Sequence, residues 1–186
     1  MQKFTAQRLA IPDVIVIVPR KFKDSRGFFM ETYVEPVFHQ LGVESRFIQD
    51  NHSLSEKRGT VRGLHFQIPP HAQAKLVRVI RGSVYDVAVD LRRASPTYGQ
   101  WCGAMLTDAG GEQIYIPRGF AHGFCTCEPN TEVVYKVDNV YAPDCDGGLI
   151  WSDPTLAINW PVGQEEIAVS DKDAKLVRFN EFNSPF

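Results

Sequence analysis

The sequence predicts an all-β fold of jelly-roll type, a β-barrel or sandwich with a few short helices, on three observations. Short β-branched or alternating runs follow one another along most of the 186 residues, turn residues separate them, and helical spacing is rare. The first run is "DVIVIVPR", whose β-branched residues suit a pleated, half-buried surface. "VEPVFHQLGV" is one of few stretches with helical spacing, and Gly42 marks its end. Then come "SRFIQDNHS", "TVRGLHFQI", "AKLVRVIRG" and "SVYDVAVDL", the last two divided at Arg81-Gly82 by what reads as a hairpin turn. "EQIYIPRG" and "TEVVYKV" add two more strands. The aromatic, proline-rich "LIWSDPTLAINWPVG" reads as an ordered wrap over the core.

A chain of this length with 44% hydrophobic residues can build one sizeable core, so residues 1–186 are expected to form a single domain. The 20 basic and 22 acidic residues nearly cancel. That balance argues against a nucleic-acid or anionic-membrane partner and for a small ligand whose charge is met locally. Met1 is followed by a mixed polar stretch rather than a charged start and an apolar core, and no apolar run approaches the roughly 20 residues that span a bilayer. A cytoplasmic protein is expected. Cys102, Cys125, Cys127 and Cys145 then read as free thiols rather than disulfides, and the Cys125/Cys127 pair lacks a second pair at metal-ligand spacing. The run "VIVIV" at residues 14–18 would be an exposed edge strand in a monomer, so a homodimer that covers it is expected.

Alternation in "SVYDVAVDL" puts Tyr85, Val87, Val89 and Leu91 on one face and Val84, Asp86, Ala88 and Asp90 on the other. If the acidic face lined the interior, Asp86 would need a partner, which Lys75, Arg62 or His65 could supply; an outer, solvated face is the alternative. Gly111, Pro117, Gly119 and His122 in "GEQIYIPRGFAH" match the second motif of the cupins, which are metal-binding jelly rolls. The first motif, from Gly59 to His65, is broken, because Gln67 stands where a second histidine ligand belongs and no glutamate follows. The reading is therefore cupin-like without a metal, its histidines free for proton chemistry near neutral pH.

In order along the chain, "DSRGFFMETY", "FIQDNHSLS", "GTVRGLHFQIPPHAQAKLVRVIRGSVYDVAVDLRRASPTYGQW", "IPRGFAHGF", "TEVVYKV", "YAPDCDGGLIWSDP" and "SDKD" resemble the dTDP-4-dehydrorhamnose 3,5-epimerase family. The resemblance implies a cofactor-free, metal-free homodimeric isomerase of dTDP-rhamnose biosynthesis, acting on a dTDP-4-keto-6-deoxy sugar. A ketone at C4 acidifies the protons at C3 and C5, so such an enzyme needs a base, a positive group for the enolate oxygen, and an acid on the opposite face. By resemblance His65 is the base, Asp173 of "SDKD" its carboxylate partner with Asp171 as the competitor, and Tyr135 the acid. Lys75 and His122 are placed near the C4 oxygen. Arg26, Glu31, Gln49, Asn51, Arg62 and Lys172 occupy substrate-binding positions, Tyr141 is the aromatic platform for thymine, and Phe29 reaches the nucleotide of a neighbouring subunit. Asp146 of "DCDGG" is read as a shorter carboxylate where many members carry glutamate. Two alternatives stay open: a sibling that inverts only C3 or only C5, and a cupin-like sugar-binding or metal-dependent protein without this chemistry.

Overall fold

A computed structural model describes residues 3–186; Met1 and Gln2 lie outside the described residues. Its strands are, in chain order, β1 (Phe4–Arg8), β2 (Ile15–Pro19), β3 (Phe22–Asp24), β4 (Gly27–Phe29), β5 (Gln49–Ser55), β6 (Val61–Gln67), β7 (Lys75–Arg81), β8 (Ser83–Asp90), β9 (Trp101–Thr107), β10 (Gln113–Ile116), β11 (Phe120–Thr126), β12 (Thr131–Val137) and β13 (Asp146–Gly148). The helix α1 (Glu35–Gln40) follows β4; Pro36 opens its first turn, and Gly42 lies just beyond its end at a φ of 99°.

Six strands form one sheet in the order β1-β2-β10-β7-β12-β5, and five form a second in the order β13-β6-β11-β8-β9. The two sheets face each other across a core of β-branched and aromatic residues that includes Val77, Val79, Val84, Leu106, Ile114, Phe120 and Phe124. This is the sandwich that the alternation predicts. On the outer side of the six-stranded sheet, Phe38 of α1 packs with Phe4, Ile15, Ile17 and Leu76. On the outer side of the five-stranded sheet, Trp160, Phe179, Phe182 and Phe186 cover Phe66, Val87, Val89 and Leu91, so the C-terminal segment does wrap the core. Both faces of β8 are thereby buried, which is why it is hydrophobic nearly throughout.

Two local expectations are corrected. Arg81-Gly82 is not a hairpin turn: β7 lies in the six-stranded sheet and β8 in the five-stranded one, so the turn carries the chain from one sheet to the other. Gly82 serves it with a φ of 78°, and an added Cβ would stand 2.6 Å from Thr131 Oγ1. A turn residue signals a change of direction, not whether the next strand returns beside the last. The "VIVIV" run is not an edge either. As β2 it is flanked by β1 and β10, and the edges of that sheet are β1 and β5. The short polar strand β1, which carries no hydrophobic run, went unseen in the sequence.

Candidate active site

At one end of the sandwich the sheets part around a cleft of about 530 Å³, lined by both sheets and by the segment 168–173. The five-stranded sheet contributes Arg62 and His65 from β6 and His122 and Phe124 from β11; the six-stranded sheet contributes Ser53, Lys75 and Tyr135. Arg62 and His65 are three residues apart, and in a regular strand they would point to opposite faces. The register resolves this. His65 pairs with His122 and Arg62 with Phe124, so β6 carries one extra residue against β11, a bulge at Gly63-Leu64. Gly63 has a φ of 130°, and a Cβ there would meet Gly123 Cα at 2.5 Å. Glycine is what lets the strand bulge and both side chains enter the cleft.

His65 Nε2 lies 2.8 Å from Asp173 Oδ1, and Oδ2 of the same carboxylate accepts the Gly63 amide at 3.2 Å. Asp173, not Asp171, therefore meets the ring. Its backbone N–H donates to Ser170 Oγ at 3.1 Å, which holds the short turn that carries it. Burial works against ionisation of Asp173, but the His65 hydrogen bond and charge, the Gly63 amide and Ser170 outweigh it and hold the carboxyl below its usual value. An ionised carboxylate only accepts, so the proton sits on Nε2 and Nδ1 is the ring's basic nitrogen.

A second histidine–carboxylate pair stands beside the first. His122 Nε2 is 2.9 Å from Asp86 Oδ2, and Asp86 is 0% exposed. The hydrogen-bond partner of Asp86 is thus His122, which the sequence reading did not consider, while Lys75, one of the three side chains it did consider, feels the charge of the same carboxylate; strand alternation shows which residues share a face but not what crosses from a neighbouring strand. Burial pushes His122 below its usual value despite the carboxylate, which favours a neutral ring. Lys75 is 9% exposed, and its Nζ donates to the His65 carbonyl at 3.4 Å. Burial pulls its pKa down to about 8 against the pull of Asp86 and Asp146. Tyr135 stays a protonated phenol at neutral pH, because burial raises it more than nearby Arg62 lowers it. Among the described residues no three His, Cys, Asp or Glu side chains converge as metal ligands.

Two histidine–aspartate pairs, a buried lysine and a half-buried phenol facing them from the other sheet form a cluster of groups that can give and take protons. A sequence model of dTDP-4-dehydrorhamnose 3,5-epimerase matches residues 8–181. The chain belongs to that epimerase family. A dTDP-4-dehydrorhamnose 3,5-epimerase of Pseudomonas aeruginosa is 50% identical over 169 residues, 90% of this chain and 92% of that protein. The crystal structure of a Legionella pneumophila 3,5-epimerase in complex with dTDP-4-keto-L-rhamnose superposes with a TM-score of 0.92 at 40% identity, covering 97% of this chain and 95% of that one. A dTDP-4-dehydrorhamnose 3-epimerase of Streptomyces niveus is 41% identical over 91% of this chain and 82% of its own.

Of the positions that the epimerase resemblance singles out, His65, Lys75, Tyr135, Asp173, Arg62, His122 and Lys172 line the cleft together. Gln49, Asn51, Tyr141 and Asp146 line an adjoining cavity of about 220 Å³ that shares His65, Lys75, Tyr135 and Lys172 with it. Lys172 Nζ donates to Asp146 Oδ2 at its rim. Gln67, standing where a cupin carries a ligand, ties down the loop before Tyr141: it donates to His71 O and Val140 O and accepts from Ala142 N. Arg26, Phe29 and Glu31 are not brought to the cleft. Arg26 is 88% exposed and paired with Asp24 on the β3–β4 hairpin, Phe29 is 66% exposed on the same hairpin, and Glu31 pairs with Lys3. Sequence reasoning missed Asp86 as a site residue, along with Ser53, whose buried Oγ has no hydrogen-bond partner, and Ser170.

Proposed function

We propose that the protein epimerises dTDP-4-dehydro-6-deoxy-D-glucose at C3 and C5, giving dTDP-4-dehydro-L-rhamnose. The observation that carries this reading is the opposition of His65, on the five-stranded sheet, to Tyr135, on the six-stranded sheet, across one cleft. Inversion needs a base on one face of the sugar and an acid on the other. His65, its Nε2–H fixed by Asp173, takes a proton from carbon next to the C4 ketone through its basic nitrogen. Lys75, cationic at neutral pH, meets the oxygen on which enolate charge gathers. Tyr135 returns a proton to the opposite face. His122 closes the site beside Lys75, and the unsatisfied Ser53 hydroxyl suits a hydroxylated ligand.

The nucleotide is assigned to the adjoining cavity, with Tyr141 as the thymine platform, Gln49, Asn51 and Asp146 as polar contacts, and Arg62 and Lys172 as cations for the diphosphate. Residues 1–186 act as one unit, since the cleft draws on both sheets and on the C-terminal segment. The unit is a homodimer. Its support is no longer the residue 14–18 run but the β3–β4 hairpin, where Phe22, Phe28 and Phe29 are exposed, together with the unpaired edge of β5 beside the nucleotide cavity. A hairpin supplied by a second copy would bring Arg26 and Phe29 to that cavity.

The activity is tested by incubation with dTDP-4-dehydro-6-deoxyglucose in deuterated water and NMR of the product. Deuterium at both C3 and C5 is expected. Label at one carbon alone would instead support the second reading, a single-position epimerase like the Streptomyces niveus relative, and label at neither would overturn both.

A further inference from the structure

Asp86 lies on the inner face of β8, fully buried, with Oδ2 on His122 and Oδ1 without a partner. Lys75, on the opposite sheet, is a buried ammonium whose hydrogen bond goes to a neutral main-chain oxygen, at 3.4 Å. A buried cation with so little direct contact requires a counter-charge. The groups around it are Asp86 on β8, His122 on β11, His65 on β6, Tyr135 on β12, Asp146 on β13, and Lys172 and Arg62 on the cleft wall. Asp146 is tied to Lys172 and Asp173 to His65. The carboxylate oxygen left over is Asp86 Oδ1.

We propose that Asp86 is a positioning residue for the epimerisation, its buried carboxylate holding the Lys75 ammonium and the His122 ring as one charge-compensated unit behind the reacting end of the cleft. This rests on the epimerase reading above. A neutral His122 donating Nε2–H to Asp86 does not cancel the carboxylate's charge, so that charge is available to Lys75. The same bond fixes the His122 tautomer, leaving Nδ1 as acceptor. Burial alone drives Lys75 toward its neutral amine, and Asp86 is the first of the two charges that pull it back. An amine could not hold an enolate oxygen as an ion pair. Asp86 thus sets the pH above which the site stops working without touching the substrate.

Asp86→Asn keeps the volume and can still accept the His122 bond while losing the charge. The expected result is an alkaline limb of kcat/KM that moves down from about 8 by about one unit, with a roughly fivefold loss at pH 8 and almost none at pH 6. NMR titration of ¹³C-labelled lysine reads the same coupling without turnover: the Lys75 signal, identified by its loss in Lys75→Met, should titrate at lower pH in Asp86→Asn. A second charge-removing variant, Asp86→Ser, should move the Lys75 midpoint in the same direction, and this arm stands even if Asp86→Asn fails to fold. An unmoved Lys75 midpoint in folded Asp86→Asn or Asp86→Ser, or a rate loss equal at every pH, would each overturn the proposal. Failure of the wild type to turn over the sugar would overturn the epimerase reading instead, and the titrations would still decide whether Asp86 holds Lys75.

Discussion

His65 and Asp173 are 108 residues apart in the chain, and their 2.8 Å contact gives the imidazole one committed nitrogen and one free one. In this account the free nitrogen begins each inversion, so His65→Asn should lose both epimerisation and isotope exchange, by about 10²- to 10⁴-fold. Deuterium uptake by a variant shown to be folded is the check; exchange at the wild-type rate would remove His65 from the mechanism. The dyad's residues were legible in "GLHF" and "SDKD" only through family resemblance, since spacing alone left Asp171 in competition with Asp173. The second pair was half legible. Alternation put Asp86 on a face shared with Asp90, but only the register of β8 against β11, with His122 opposite Ala88, brings the His122 ring within reach of Asp86. Arg26, Phe29 and Glu31 were named by the same resemblance and lie outside the cleft, because a motif match carries residue identity and not position in space; the proposed homodimer would bring the hairpin of a second copy there.

Among the elements, β6 matters most to the site, through one inserted residue. The bulge turns Arg62 and His65 to the same side and points the Gly63 amide at Asp173 Oδ2. Periodicity could not reveal this, because period-two reading assumes a regular strand and the bulge breaks its parity. Gly63→Ala would force a Cβ against the backbone atoms Gly123 Cα and His122 O, at 2.5 and 2.8 Å, in a conformation that L side chains rarely adopt. Neither atom can swing aside as a side chain can. A stability loss of about 1–3 kcal/mol is expected, read as a fall in the thermal midpoint, with activity falling further because Asp173 loses its amide contact. An unchanged midpoint and rate would contradict the role given to the bulge. Other elements were read well where hydrophobic pattern decides them, as in β7, β8, β12 and α1, and poorly where pairing decides them, as in β1 and the turn at Gly82.

At the scale of the whole molecule, one cleft lies between the two sheets, and each presents titratable side chains to it, His65 and His122 from one and Lys75 and Tyr135 from the other. The sandwich was legible because strand follows strand with turn residues between; the order of strands was not, since it depends on contacts between distant segments. Assembly belongs to this scale too. Wild-type protein at micromolar concentration should scatter light as a dimer, and Phe28→Asp with Phe29→Asp should shift it toward monomer; a monomeric wild type would contradict the assignment of the hairpin to a neighbouring cleft. The central claim is that base and acid attack from opposite sheets, and Tyr135→Phe tests it most directly. That change keeps the ring's packing and removes the proton donor, so the enolate can still form and be reprotonated from the His65 side. In deuterated water the folded variant should therefore incorporate deuterium next to the ketone without inverting the carbon, exchange persisting while epimerisation falls by about 10²-fold or more. Unimpaired inversion in Tyr135→Phe would show that the second proton comes from elsewhere and would contradict the account.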